Sequence, residues 1–137
     1  MIPAKKTILF IEDEPDLIDI YHTIFENHDY KFLSTADIEE GMIIAQKEKI
    51  DAILLDLVLP KEVGSTVDLS AKQGFIFLEK VKKNSKTKNI PVIILTNLNN
   101  SNDRKRARDL GVVDYIVKAD HLPEAIFSKV ERIINKK

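Results

Sequence analysis

The sequence contains no cysteine and no long apolar run. Without cysteine, the chain has no disulfide, no thiolate nucleophile and no cysteine-ligated zinc, and it suits a reducing compartment. The default expectation is therefore a cytoplasmic protein. Lys5 and Lys6 precede an apolar run that stops at Glu12, too short for a secretory signal, and no other run approaches a membrane span. We expect no membrane association.

The chain also lacks a bias of charge. It has 21 lysines and arginines and 22 aspartates and glutamates, which give a formal net charge of -1. Such a chain has no global positive field to hold a polyanion, so we expect no direct binding of nucleic acid. The length of 137 residues suits one domain that buries its own core. We expect a single domain over residues 1–137 with no effector domain.

Short β-prone apolar runs alternate with segments of helical periodicity along the chain. The predicted strands are residues 7–11, 31–34, 52–55, 92–95 and 115–117, and the predicted helices are residues 16–27, 38–47, 75–81, 103–110 and 122–135. This alternation predicts an α/β fold, a doubly wound five-stranded parallel sheet with five helices on its two faces. Residues 61–73 show no period and are predicted to form an extended loop insertion.

Polar side chains stand where the predicted strands end. Glu12 and Asp13 follow the first strand, Asp56 the third, Thr96 the fourth and Lys118 the fifth. The carboxyl ends of parallel strands share one edge of a sheet, so these residues should meet. Clustered carboxylates repel unless a cation neutralises them, and an all-oxygen cluster suits Mg²⁺. An ammonium, a hydroxyl and a nucleophilic carboxylate beside a metal suit a phosphoryl group.

With these residues in this order, the chain resembles the receiver domain of two-component response regulators, of the stand-alone, chemotaxis-regulator-like kind. The resemblance runs from about residue 7 to residue 134. It rests on Glu12-Asp13, residues 56–60, Gly74, Thr96 and residues 115–118. It implies a flavodoxin-like sheet with strand order 2-1-3-4-5.

The resemblance also implies roles for the site residues. Asp56 looks like the phosphoacceptor, and Mg²⁺ would be held by Glu12, Asp13, Asp56 and the backbone carbonyl of Val58. Thr96 and Lys118 would contact the phosphoryl oxygens. Tyr115 resembles the aromatic residue that rotates inward when Thr96 is drawn to the phosphoryl group.

The function implied is a switch in phosphorelay signal transduction. A sensor histidine kinase or a phosphotransfer protein would phosphorylate Asp56, and the face formed by helix 4, strand 5 and helix 5 would then bind an output protein of unknown identity. The domain would not be an enzyme beyond promoting its own phosphotransfer and autodephosphorylation. The sequence leaves open a homodimer that forms on phosphorylation.

Two other functions share parts of this pattern. An aspartyl-phosphate-type phosphohydrolase also uses a strand-end aspartate, but it resembles Asp-x-Asp after the first strand, whereas here the candidate nucleophile follows the third strand and Val58 stands two residues on. A flavodoxin-like flavin carrier would bind its phosphate in the loop after strand one. The acids Glu12, Asp13 and Glu14 in that loop would repel the phosphate.

The sequence departs from the family pattern at three places. The stretch between Pro60 and Gly74 is longer than usual, and we expect this loop to be exposed, mobile and involved in partner selection. Asn97 stands where the family mostly has alanine or glycine, and it would either shield the phosphoryl group from water or orient that water. Ala119 replaces a common proline, so we expect a trans peptide bond after Lys118.

Overall fold

The computed structural model describes residues 4–59 and 72–135. The strands are β1 (Thr7–Ile11), β2 (Lys31–Thr35), β3 (Ala52–Leu55), β4 (Val92–Thr96) and β5 (Asp114–Val117). The helices are α1 (Pro15–Asn27), α2 (Ile38–Lys47), α3 (Gln73–Lys83), α4 (Ser101–Asp109) and α5 (Pro123–Asn135), and a 3₁₀ turn covers Lys118–Asp120. All paired strands are parallel, in the order β2-β1-β3-β4-β5. The predicted doubly wound, flavodoxin-like α/β fold is confirmed.

Both faces of the sheet are buried, which explains why its central strands are continuous apolar runs. Along β1, Leu9 and Ile11 point into a core shared with α2, α3 and α4. The alternate residues Ile8 and Phe10 point into a second core shared with α1 and α5. All four side chains have no exposed surface. Residues 8–11 of the strand therefore have no face left for polar side chains, and the first acid appears where the strand ends.

Side chains that reach free backbone N–H groups decide where two helices begin. Asp37 caps α2, because its carboxylate accepts the Glu39 N–H at 3.1 Å. Asn100 caps α4 by accepting the Asp103 N–H at 2.9 Å. The expected start of α4 at Asp103 was therefore two residues late. The polar run 97–103 offers several capping residue types, so the sequence did not identify the one that acts.

Most of the predicted loop at residues 61–73 lies outside the described residues, as does Pro60. The part that is described corrects one boundary, because Gln73 already belongs to α3 and the helix begins two residues before Phe75. Lys72, just before it, adopts a left-handed conformation with φ of 45°. The expectations about the mobility and role of the loop remain predictions.

None of the helices in residues 4–59 and 72–135 is long and apolar enough to cross a membrane.

Candidate functional site

The ends of β1 and β3 bring three carboxylates together. Glu12 directly follows β1, and the Asp56 N–H continues the ladder beyond β3 by donating to the Ile11 carbonyl at 3.0 Å. Glu12, Asp13 and Asp56 each offer a carboxylate oxygen, and these oxygens lie within 4.8 Å of one another. The predicted meeting of the acids at this edge is therefore observed.

Glu12 is the most buried of the three acids, with 1% of its surface exposed. Its Oε2 accepts the backbone N–H groups of Asp13 at 3.1 Å and Glu14 at 3.3 Å, which fixes the turn into α1. Burial and the negative charge of Asp56 raise the pKa of Glu12 to about 7, against the opposing effect of Lys118. Holding this carboxylate ionised is therefore costly unless positive charge stands beside it.

Asp56 is also buried, with 5% of its surface exposed, and both of its carboxylate oxygens are hydrogen-bonded. Its Oδ1 accepts the Thr96 hydroxyl at 2.8 Å and the Val58 N–H at 3.1 Å. Its Oδ2 accepts the Lys118 ammonium at 3.1 Å. Residues at the ends of β4 and β5 thus contact opposite oxygens of one carboxylate.

Lys118 bridges two acids rather than lying free in solvent. Its Nζ lies 2.9 Å from Glu12 Oε1 and 3.1 Å from Asp56 Oδ2, and its side chain is 12% exposed. Burial alone would lower the pKa of Lys118, but the charges of Asp56 and Glu12 and hydrogen bonds to both raise it above its ordinary value. The ammonium is therefore charged at neutral pH and partly neutralises the acids.

These groups lie in a cleft of about 400 Å³ that opens at the carboxyl edge of the sheet. It is lined by Glu12, Asp13, Glu14, Asp56, Val58, Thr96, Asn97, Leu98 and Lys118. The carboxylate oxygens are ligands that a hard cation prefers, and the Thr96 hydroxyl and the Lys118 ammonium are hydrogen-bond donors beside them. A phosphoryl group on Asp56 would have both kinds of group within reach.

Residues 8–130 match the response regulator receiver domain family. The chain belongs to this family. It is 30% identical over 132 residues to the probable transcriptional regulator ycf27 of Porphyridium aerugineum, an alignment that covers 96% of this chain and 49% of the relative. The chain spans about half the length of the first curated relatives it matches. It is thus a receiver domain of two-component signalling.

Solved receiver domains share the fold of this chain. The non-phosphorylated HemR receiver domain from Leptospira biflexa superposes with a TM-score of 0.80 at 26% identity, covering 97% of both chains. The receiver domain of sensor histidine kinase PA1611 from Pseudomonas aeruginosa, which has a magnesium ion coordinated in its active site cleft, superposes with a TM-score of 0.77 at 22% identity. That alignment covers 97% of this chain and 100% of the PA1611 domain.

Tyr115 of this receiver domain lies half-buried on β5, beside the loop that follows Thr96. Its hydroxyl donates to the Leu98 carbonyl at 2.8 Å, and the Arg104 guanidinium lies 4.7 Å from the centre of its ring. Burial, with the nearby charge of Asp103, raises the pKa of Tyr115 to about 12. The hydroxyl therefore stays protonated and links β5 to the loop between β4 and α4.

Asn97 and Ala119 contact each other, a pairing that the sequence did not predict. The Asn97 side-chain carbonyl accepts the Ala119 N–H at 2.9 Å, and the Lys118–Ala119 peptide bond is trans as expected. The sequence carried one signal for this contact, since both positions depart from the family pattern: Asn97 adds a side-chain acceptor, and Ala119 adds a backbone donor. Leu98, which lines the cleft, was also missed.

Proposed function

We propose that this receiver domain is a phosphorylation-activated switch in which Asp56 accepts a phosphoryl group from a sensor histidine kinase or a phosphotransfer protein. One observation carries the proposal: the Asp56 carboxylate lies between the Thr96 hydroxyl and the Lys118 ammonium, beside further acids. An aspartate placed only to cap a turn would need neither partner.

The same residues fit Mg²⁺ as the cofactor. Glu12, Asp13 and Asp56 supply oxygen ligands within 4.8 Å of one another, and the Val58 backbone carbonyl is the fourth proposed ligand. When bound, Mg²⁺ would neutralise the acids and the oxygens of an incoming phosphoryl group. The PA1611 receiver domain, with magnesium in its own cleft, supports this assignment.

The side chains of the site account for the transfer step. An Asp56 oxygen attacks the phosphorus, the bond from phosphorus to the imidazole nitrogen of the donor breaks, and its electron pair returns to that imidazole. The Lys118 ammonium and the Thr96 hydroxyl, which already contact Asp56, then stabilise the phosphoryl oxygens. The domain promotes only this transfer and the later loss of its own phosphoryl group.

The switch would follow from the hydroxyl of Thr96 changing partners. It now donates to Asp56, and a phosphoryl group on Asp56 would offer it a new acceptor nearby. Thr96 ends β4, and Tyr115 lies on the neighbouring strand β5, paired with Ile94. The Tyr115 hydroxyl donates to the Leu98 carbonyl in the loop beyond Thr96. We expect Tyr115 to turn inward and the surface of α4, β5 and α5 to change its affinity for an output protein.

Intact-mass measurement after incubation with acetyl phosphate and Mg²⁺ tests the proposal. The wild-type chain should gain one phosphoryl group, and Asp56→Asn should gain none. Asp19→Asn, a matched change at an exposed aspartate of α1, should label like wild type. Equal labelling of Asp56→Asn, or full labelling in EDTA, would overturn the assignment.

A further inference from the structure

The two loops that carry Thr96 and Lys118 are joined by a side chain as well as by the sheet. The last backbone pair between β4 and β5 is Thr96 with Val117. Beyond this pair, Asn97 Oδ1, one residue after Thr96, accepts the N–H of Ala119, two residues after Val117, at 2.9 Å. The Asn97 side chain thus continues the ladder where the two backbones separate. We call this hydrogen bond the Asn97–Ala119 tie.

The tie lies next to both groups that contact the Asp56 carboxylate. Thr96 precedes Asn97 and bonds Asp56 Oδ1, while Lys118 precedes Ala119 and bonds Asp56 Oδ2. The distance between the hydroxyl and the ammonium therefore depends on how the two loops are held together. In the usual family pattern neither partner exists, because proline has no N–H and alanine or glycine has no side-chain acceptor.

We infer that Asn97 is a positioning residue that holds Thr96 and Lys118 in register over Asp56 through its bond to the Ala119 N–H. The inference rests on the proposed phosphorylation of Asp56. Phosphoryl transfer to Asp56 and hydrolysis of the product both build charge on the same phosphoryl oxygens. The rates of both reactions therefore depend on the positions of the Thr96 hydroxyl and the Lys118 ammonium. Loosening the tie should slow both reactions.

This mechanism differs from the two roles expected from the sequence. A shield would act through the bulk of Asn97, and an orienting group would act on the attacking water alone. Leucine has nearly the size of asparagine but accepts no hydrogen bond, so Asn97→Leu keeps the bulk and removes the tie. Asn97→Ala removes both. Asn97 is exposed, and both variants should fold.

The experiment measures three quantities for wild type, Asn97→Leu and Asn97→Ala: the rate of labelling by acetyl phosphate with Mg²⁺, the phosphoryl half-life, and exchange of the Ala119 amide hydrogen by NMR. We expect both variants to label about twofold to tenfold more slowly and to keep the phosphoryl group longer by a similar factor. The Ala119 amide should exchange faster in both. Asn97→Asp, which retains an acceptor, should restore its protection.

Three outcomes overturn the inference. A wild-type half-life in Asn97→Leu with a shorter one in Asn97→Ala indicates a shield. A longer phosphoryl half-life in both variants, with the labelling rate of wild type, indicates a water-orienting role. Equal Ala119 exchange in all chains means that the tie does not form in solution. Failure of wild type to label would reject the proposed function instead, while amide exchange would still report on the tie.

Discussion

A single methyl group added at Gly74 should disturb the backbone that carries Asp56. Gly74 lies in the first turn of α3, and its N–H donates to the Leu57 carbonyl at 3.0 Å. A Cβ at this position would lie 2.5 Å from Leu57 Cα and closer still to the Asp56 carbonyl oxygen. Both are backbone atoms, which no rotamer change can move away. Gly74→Ala must therefore push α3 away from the end of β3.

The loss of stability in Gly74→Ala can be estimated from overpacking substitutions in other proteins. Forcing a methyl group into a closely packed site typically costs about 1–3 kcal/mol, and rigid backbone on the opposing side favours the upper part of that range. In a domain of this size the loss corresponds to a fall in melting temperature of about 3–10 °C. Since the added methyl group also presses on the Asp56 carbonyl oxygen, the contacts of Asp56 with Thr96 and Lys118 should loosen and labelling by acetyl phosphate should slow.

Gly41→Ala is the matched control for this prediction. A Cβ at Gly41 would lie 3.0 Å from Ile11 Cδ1 and 3.0 Å from Phe77 Cε1, both atoms of side chains that can give way. Gly41→Ala should lose less stability than Gly74→Ala, because alanine also has a higher helix propensity than glycine in the interior of α2. Urea unfolding and labelling rates of the two variants compare them directly. The reasoning fails if Gly74→Ala is as stable as wild type, or if Gly41→Ala slows labelling as much.

Three further substitutions test other contacts. Lys72→Met removes the ammonium that lies 2.9 Å and 3.1 Å from the two oxygens of buried Asp103, so we expect a loss of about 1–3 kcal/mol at pH 7 in urea unfolding. Burial would raise the pKa of Asp103, but the hydrogen bonds from Lys72 and Asn100 lower it below its ordinary value of 3.8. The stability that the Lys72–Asp103 pair contributes is therefore present above pH 3.8 and is lost as the pH falls below it. A loss of stability in Lys72→Met that is as large at acid pH as at pH 7 would contradict this. Asp13→Ala should weaken Mg²⁺ binding and leave the metal-free domain as stable or more so in thermal melts, and unchanged Mg²⁺ affinity would reject Asp13 as a ligand. Tyr115→Phe removes the 2.8 Å bond to the Leu98 carbonyl and should cost about 0.5–1.5 kcal/mol, whereas unchanged stability would show that water replaces the bond.

The sequence predicted the residues that meet at the sheet edge because their positions follow from strand ends alone. A strand buried on both faces is a continuous apolar run, so its end is visible where the first acid appears. Glu12 and Asp56 stand at such points, and Thr96 and Lys118 at others. Parallel pairing then brings all of them to one edge without any knowledge of side-chain geometry.

Contacts that depend on where a side chain points were not predictable in this way. The ion pair of Lys72 with Asp103 and the tie of Asn97 with Ala119 join residues that are far apart in sequence. Their residue types occur on any protein surface, and only the folded backbone places them within hydrogen-bonding distance. The start of α4 was predicted wrongly for a related reason, because several neighbouring residues in the same polar run were equally good caps.

The position of Lys118 explains how this domain keeps two buried carboxylates close together. One ammonium serves Glu12 and Asp56 at once, so each carboxylate has a partner. The raised pKa of Glu12 shows that this compensation is incomplete, because burial and the charge of Asp56 outweigh it. Added positive charge beside Glu12 would relieve that imbalance and release Lys118 from one of its two partners. We expect the ammonium then to turn to the oxygens of a phosphoryl group on Asp56.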